Sequence, residues 1–156
     1  MTKKTRIYID TSIVGGFFDE IFSEPTKVLF DRLKDGNTVF VISDVLKREL
    51  QNAPPHVRDL VLQYDDSCFE YVKTTVESEG LANLYVAEKV VGETCLDDCL
   101  HIALATVNKV DVLASWNFKH IVNLTRIKGY NAVNMRMGYI TLEIRNPNDL
   151  VDYGNN

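Results

Sequence analysis

The sequence predicts an α/β domain with a central, mainly parallel sheet flanked by helices. Short apolar runs such as RIYID and TVFVI alternate with segments whose apolar residues recur at helical spacing. Acidic residues stand close to the ends of these runs: Asp10 ends the first, Glu49 follows the second within SDVLKREL, and Asp97 and Asp98 open DDCLHIALA. A parallel α/β fold gathers the carboxyl ends of its strands at one crevice. Carboxylates converging there repel one another unless a cation holds them together, so a hard-metal site is the leading expectation.

The chain has 156 residues, of which 46% are hydrophobic and 25% charged, with no low-complexity or repeated segment. It reads as one domain over residues 1–156, long enough to bury a core without disulfides or a structural metal. Lys3, Lys4 and Arg6 precede an apolar stretch that Asp10, Asp19 and Glu20 interrupt, so neither a signal peptide nor a transmembrane span is expected. Cys68, Cys95 and Cys99 form no CxxC pair, and their odd number cannot complete a disulfide framework. Reduced thiols in a cytoplasmic protein are expected. A net charge of -5 argues against a surface coated with basic residues, but allows a local basic rim around an acidic metal centre.

The first element, Arg6 to Asp10, is a short buried strand, and Thr11 and Ser12 after it can start a helix or loop that Gly15 and Gly16 interrupt. A helix is predicted from about Pro25 to Asp35, with Ser23 before it and Gly36 as its stop. Thr38 to Ile42 forms the second strand. Ser43 caps a short helix carrying Val45, Leu46, Glu49 and Leu50, and Pro54-Pro55 ends it before another helix over about Val57 to Tyr64. Phe69 to Val72 is a third strand. Val76 to Val91 is helical in composition, with Gly80 weakening it and Gly92 bounding it.

The best-defined helix runs from about Leu96 to Asn108, where Leu96, Leu100, Ala103, Leu104 and Val107 form an apolar stripe. Thr94 is placed to cap it, and His101 lies within reach of Asp97 or Asp98. Asp111 to Ser115 is the next strand. The alternation of Tyr139, Ile140, Leu142 and Ile144 in the segment from Gly138 to Arg145 fits an added strand or a partner-facing ribbon.

Four stretches in this order, IYIDTSIVGG, VISDVLKREL, LDDCLHIALATVNKVDVLASW and NFKHIV, resemble the PIN-domain nucleases. That family includes the VapC-like toxin component of many type II toxin–antitoxin pairs. The resemblance spans most of the chain and places the family's first acid on Asp10, its second on Glu49 and its third on Asp98, with Asp97 as the alternative. Its fourth position, in a threonine or serine, any residue, aspartate pattern, falls on Ser115, Trp116 and Asn117. Asn117 departs from that pattern by lacking the charge, so a second metal would bind weakly or only with substrate. Ser12 matches the small hydroxyl residue after the first acid.

The resemblance implies a metal-dependent endoribonuclease. Mg²⁺ or Mn²⁺ would be held by Asp10, Glu49 and Asp98, with Ser12, Ser115 and Asn117 as outer contacts and Lys119 and His120 against the RNA backbone. It also implies a homodimer and a small antitoxin partner. A PIN-fold RNA- or protein-binding module with a degenerate metal site is the alternative. A phosphoacceptor or small-molecule phosphohydrolase is disfavoured, because no acidic pair follows the first strand and GxGxxG and GxxxxGK[ST] are absent.

Each residue also has a plainer reading. Asp10 could cap the turn at Thr11 and Ser12, and Glu49 could be an exposed helix residue paired with a neighbouring Lys or Arg. One of Asp97 and Asp98 suits the helix dipole rather than a metal. His101 reads as a packed, hydrogen-bonded histidine, and Trp116 and Phe118 as packing residues rather than base-stacking platforms.

Overall fold

The computed structural model describes residues 3–150. Five strands form one sheet in the order β3-β2-β1-β4-β5: β1 (Thr5–Ile9), β2 (Thr38–Ser43), β3 (Phe69–Val72), β4 (Val112–Ala114) and β5 (Ile144–Arg145). Every neighbouring pair is parallel. Alternate residues of the central strands therefore feed two cores. Ile7, Ile9, Phe40, Ile42 and Val112 pack on one face, and Tyr8, Val41 and Leu113 on the other. Each such large side chain contributes about 1.5–3 kcal/mol on leaving water.

The first face is covered by α1 (Thr11–Gly16), α2 (Ser23–Asp31) and α3 (Asp44–Leu50), and the second by α5 (Val76–Ala87) and α6 (Leu96–Val107), with α7 (Leu124–Arg136) beside them. The short helices α4 (Pro55–Arg58) and α8 (Pro147–Leu150) complete the set. Ser43 caps α3, accepting the Leu46 N–H at 3.3 Å, and Thr75 and Ser78 form a reciprocal capping box on α5. Among the described residues no helix is long and apolar enough to cross a membrane.

Several elements differ from the expectation. The predicted Pro25–Asp35 helix begins at Ser23 and tightens into a 3₁₀ turn from Arg32. The predicted Val57–Tyr64 helix is instead α4 followed by a 3₁₀ turn at Leu60–Gln63, since Pro55 starts the helix early and only one turn forms. Thr94 lies inside a 3₁₀ turn, Glu93–Cys95, and Cys95 takes the N-cap position of α6 without a side-chain bond. Leu96 is exposed, while Cys99 through Thr106 are buried on every side, so α6 is a central helix rather than one with a single apolar stripe. From the tail, Ile144–Arg145 adds a parallel edge strand to β4.

Gly15 and Gly16 lie within α1 rather than interrupting it. A Cβ on Gly16 would stand 2.6 Å from Trp116 Cδ1 and 2.7 Å from its Nε1. That indole donates to Thr26 Oγ1 at 2.9 Å and stacks on Phe22 with ring centroids 4.2 Å apart, tying α1 and α2 to the segment after β4. Gly16→Ala is accordingly expected to destabilise the fold by about 1–3 kcal/mol through overpacking, despite alanine's better helix propensity. Urea denaturation checks this, and an unchanged midpoint would refute it.

Candidate metal centre at the sheet's switch point

The sheet is extended from β1 in two directions, β2 and β3 to one side and β4 and β5 to the other. This reversal of strand order opens a crevice beyond the carboxyl ends of β1 and β4. Asp10 directly follows β1, and Ser115 directly follows β4. Across the gap the Asp10 N–H meets the Ala114 carbonyl at 3.5 Å.

Asp10 occupies the N-cap position of α1, but its side chain makes no capping bond. Its carboxylate instead accepts from Ser12 Oγ on Oδ1 and from Ser115 Oγ on Oδ2, each at 2.6 Å. Both serines are held in turn: Ser12 Oγ accepts the Trp116 N–H at 2.8 Å, and Ser115 Oγ accepts the Asn117 N–H at 2.9 Å. Burial pushes the Asp10 carboxyl above its ordinary range, and the positive field of His101 and the two hydroxyls only partly offset this.

Glu49 projects from α3 and is half-buried. Its Oε1 accepts from Thr11 Oγ1 and from His101 Nε2, each at 2.7 Å. Both bonds fall on one oxygen, so the carboxylate can still offer Oε2. Burial alone would raise Glu49, but its hydrogen bond with His101, that residue's charge and the Thr11 hydroxyl outweigh it and hold the carboxyl below its usual range. His101 is therefore the partner of Glu49, not of the aspartates on its own helix. Its other nitrogen, Nδ1, lies 2.7 Å from the Tyr8 hydroxyl, which lies 2.8 Å from Ser43 Oγ. With Nε2–H donated to Glu49, two donor orders satisfy the chain: Ser43 to Tyr8 to Nδ1 with a neutral imidazole, or Nδ1–H to Tyr8 to Ser43 with the charged imidazole.

Asp97 and Asp98 point apart. Asp97 is on the surface, paired with Arg48 at 2.7 Å. Asp98 is partly buried, and burial together with the nearby Glu49 raises its carboxyl, while His120, His101 and Asn117 offset part of that rise. Asn117 also accepts the His120 N–H on Oδ1 at 3.0 Å, so its oxygen anchors the turn that carries Lys119 and His120. Lys119 is exposed, and His120 is partly buried. Trp116 is buried, whereas Phe118 is exposed beside Trp116 and Phe22, with centroids 6.0 and 6.3 Å away.

The donor set of Asp10, Glu49 and Asp98 consists of carboxylate oxygens, Glu49 held low against its burial and Asp10 and Asp98 raised by theirs, and this chemistry fits a hard divalent cation whose charge would offset that burial. Among the described residues, the group of three metal-ligating side chains lying within 4.8 Å of one another is Cys95, Asp98 and His120, and Asp10 and Glu49 stand outside it. The three acids thus leave room for water or phosphate oxygens rather than closing a cage of protein ligands. Tyr8, Thr11, Ser43 and Cys95 were not singled out as functional from the sequence. A tyrosine set among isoleucines in β1 was the available sign.

No protein-family model and no curated protein matches the sequence. Solved structures do. VapBC2 from Rickettsia felis, bound to a DNA fragment from its promoter, contains a chain similar to this one at TM-score 0.56 and 14% identity, over 91% of this chain and 98% of that one. FitAB bound to the IR36 DNA fragment gives TM-score 0.57 and 13% identity, over 90% and 94%. VapC20 of Mycobacterium tuberculosis, a sarcin-ricin loop cleaving toxin, gives TM-score 0.55 and 13% identity, over 88% and 98%. At such identities the likeness is one of fold. From its all-parallel sheet and from these likenesses, the chain has the fold of the PIN-domain toxins of the VapC and FitB type.

Proposed function

We propose that this protein is a metal-dependent ribonuclease that hydrolyses RNA phosphodiester bonds, with Mg²⁺ or Mn²⁺ held by Asp10, Glu49 and Asp98. The observation that carries the reading is Asp10. A carboxylate buried at the switch point, pushed up by its burial and clamped by two serines, is retained at a cost that a cation would relieve. A bound cation supplies charge to the phosphoryl group and lowers the pKa of a water for in-line attack.

The chain's own residues do the rest. Ser12 and Ser115 fix the plane of Asp10, and His101 and Thr11 fix Glu49. Of the two adjacent aspartates, Asp98 is the ligand, because Asp97 is engaged with Arg48. Asn117 acts as a turn anchor beside the site, and Lys119 and His120 on that turn are the residues this reading assigns to the RNA backbone. The partners in this reading are an RNA substrate, a small antitoxin and a second copy of the chain, all within the cytoplasm. The VapBC2 and FitAB complexes and the loop-cleaving VapC20 support it by analogy.

The test is cleavage of structured RNA with Mn²⁺ added or chelated. Asp98→Asn is expected to lower the rate at least about 100-fold, since even outer-shell partners of a metal cost 10–100-fold. Metal-dependent cleavage retained in that variant would sink the reading. Mn²⁺ binding without cleavage of any RNA tried would favour a PIN-fold binding module, a reading motivated by the use of the Asn117 oxygen within the protein.

A further inference from the structure

We propose that Cys95, Asp98 and His120 form a second metal site, selective for Zn²⁺-class transition ions and sharing Asp98 with the acidic crevice. One donor atom from each residue lies within 4.8 Å of the others. Donors around a tetrahedral zinc are about 3.3–3.8 Å apart, from bond lengths of about 2.0–2.3 Å, so small side-chain adjustments close the set. Cys95 at the N-cap position and Asp98 in the first turn of α6 are three residues apart, so both stand at the same end of the helix.

His120 comes from the turn after β4, and its backbone is fixed at both ends: its N–H by Asn117 Oδ1 at 3.0 Å and its carbonyl by the Tyr130 hydroxyl at 2.7 Å. Its Nδ1 is a buried side-chain nitrogen without a hydrogen-bond partner in the protein. Leaving such an atom unsatisfied costs about 1–3 kcal/mol, which a ligand at this spot would recover.

Sulfur, imidazole nitrogen and carboxylate oxygen together suit zinc, whereas the acids of the crevice offer oxygen alone. Cys99, one turn further along α6, is packed in the core with no exposure and lies outside the donor group. As the metal–sulfur bond forms, the Cys95 thiol gives its proton to solvent. With three protein donors, water completes the coordination. Zinc here would engage Asp98 and so oppose Mn²⁺ in the crevice; this consequence alone rests on the proposed function.

The experiment is titration of the full chain with Co²⁺, a spectroscopic stand-in for zinc, read by the thiolate-to-cobalt charge-transfer band in the near ultraviolet. The wild type is expected to give the band, and Zn²⁺ to bleach it. Cys95→Ser should lose the band, and His120→Gln should weaken Co²⁺ binding at least about tenfold. Asp10→Asn should keep the band. The site is overturned by absence of the band in the wild type, its survival in Cys95→Ser, or its loss in an Asp10→Asn protein with a native circular dichroism spectrum. The band requires no RNA cleavage, so its outcome is separate from that of the ribonuclease assay.

Discussion

Asp10→Asn is expected to abolish Mn²⁺ binding and RNA cleavage while making the metal-free protein more stable at neutral pH. The two effects have one cause. Burial raises the carboxyl of Asp10 above its ordinary value of 3.8, so the charged form is held against the preference of the fold. A group shifted in this direction contributes stability that is fully present below its unfolded pKa and is lost as pH rises through its folded value. Asparagine has nearly the same shape, can bond to Ser12 and Ser115, and carries no charge to desolvate.

For a chain of this size, a gain of about 1 kcal/mol would raise Tm by about 2–4 °C. The advantage of the variant should shrink as pH falls through the raised pKa of Asp10 toward 3.8. Excess Mn²⁺ should reverse the order at neutral pH, since ligand at 100 times its Kd stabilises the wild type by about 2.7 kcal/mol and leaves the variant unchanged. Thermal unfolding with chelator and with Mn²⁺, across pH, reads both arms. A metal-free variant less stable than wild type, or one stabilised by Mn²⁺ to the same extent, would refute the account.

His101→Ala is expected to have the largest effect on stability among changes at the site, about 3 kcal/mol. The imidazole is buried and bonds at both nitrogens, so its removal strips a partner from the Tyr8 hydroxyl and another from Glu49. Each unsatisfied buried group costs about 1–3 kcal/mol, and the void adds to that. The charge and hydrogen bond of His101 are also what overcome the burial of Glu49 and keep its carboxyl low. A carboxyl lowered in this way contributes stability above its ordinary value of 4.5 that is lost as pH falls through its folded pKa. The penalty of the mutation should therefore be greatest near neutrality and smaller in acid. Mn²⁺ affinity should fall by about 10–100-fold, as for other groups that orient a ligand. A loss below about 1 kcal/mol in urea denaturation, together with unchanged Mn²⁺ binding, would remove His101 from its positioning role.

What could be read from the chain follows from what is local in it. The runs RIYI and TVFVI are too apolar and β-branched or aromatic to be anything but buried strands, FEYV reads as a strand that the sheet places at its half-exposed edge, and their alternation with helical segments implies parallel pairing. The position of Asp10 at a strand end was legible for the same reason. By contrast α7 was not seen: its buried residues Tyr130, Val133 and Asn134 make a narrow stripe, Gly129 sits in its middle, and most of its remaining face is polar. Its N-cap, Asn123, which accepts the Arg126 N–H at 3.2 Å, was the missed sign.

The choice between Asp97 and Asp98 was also beyond the local pattern. Adjacent residues on a helix differ by about 100° in direction, but which direction meets the crevice depends on how α6 is set against β1 and α3. Spacing along one helix likewise offered His101 to the aspartates, whereas packing gave it to Glu49, 52 residues away in sequence. Periodicity and strand-end chemistry determined the class of fold and the kind of site. Only the tertiary structure decided which side chains share it, because pairings across such separations arise from the order of strands in the sheet, which no segment of the chain specifies alone.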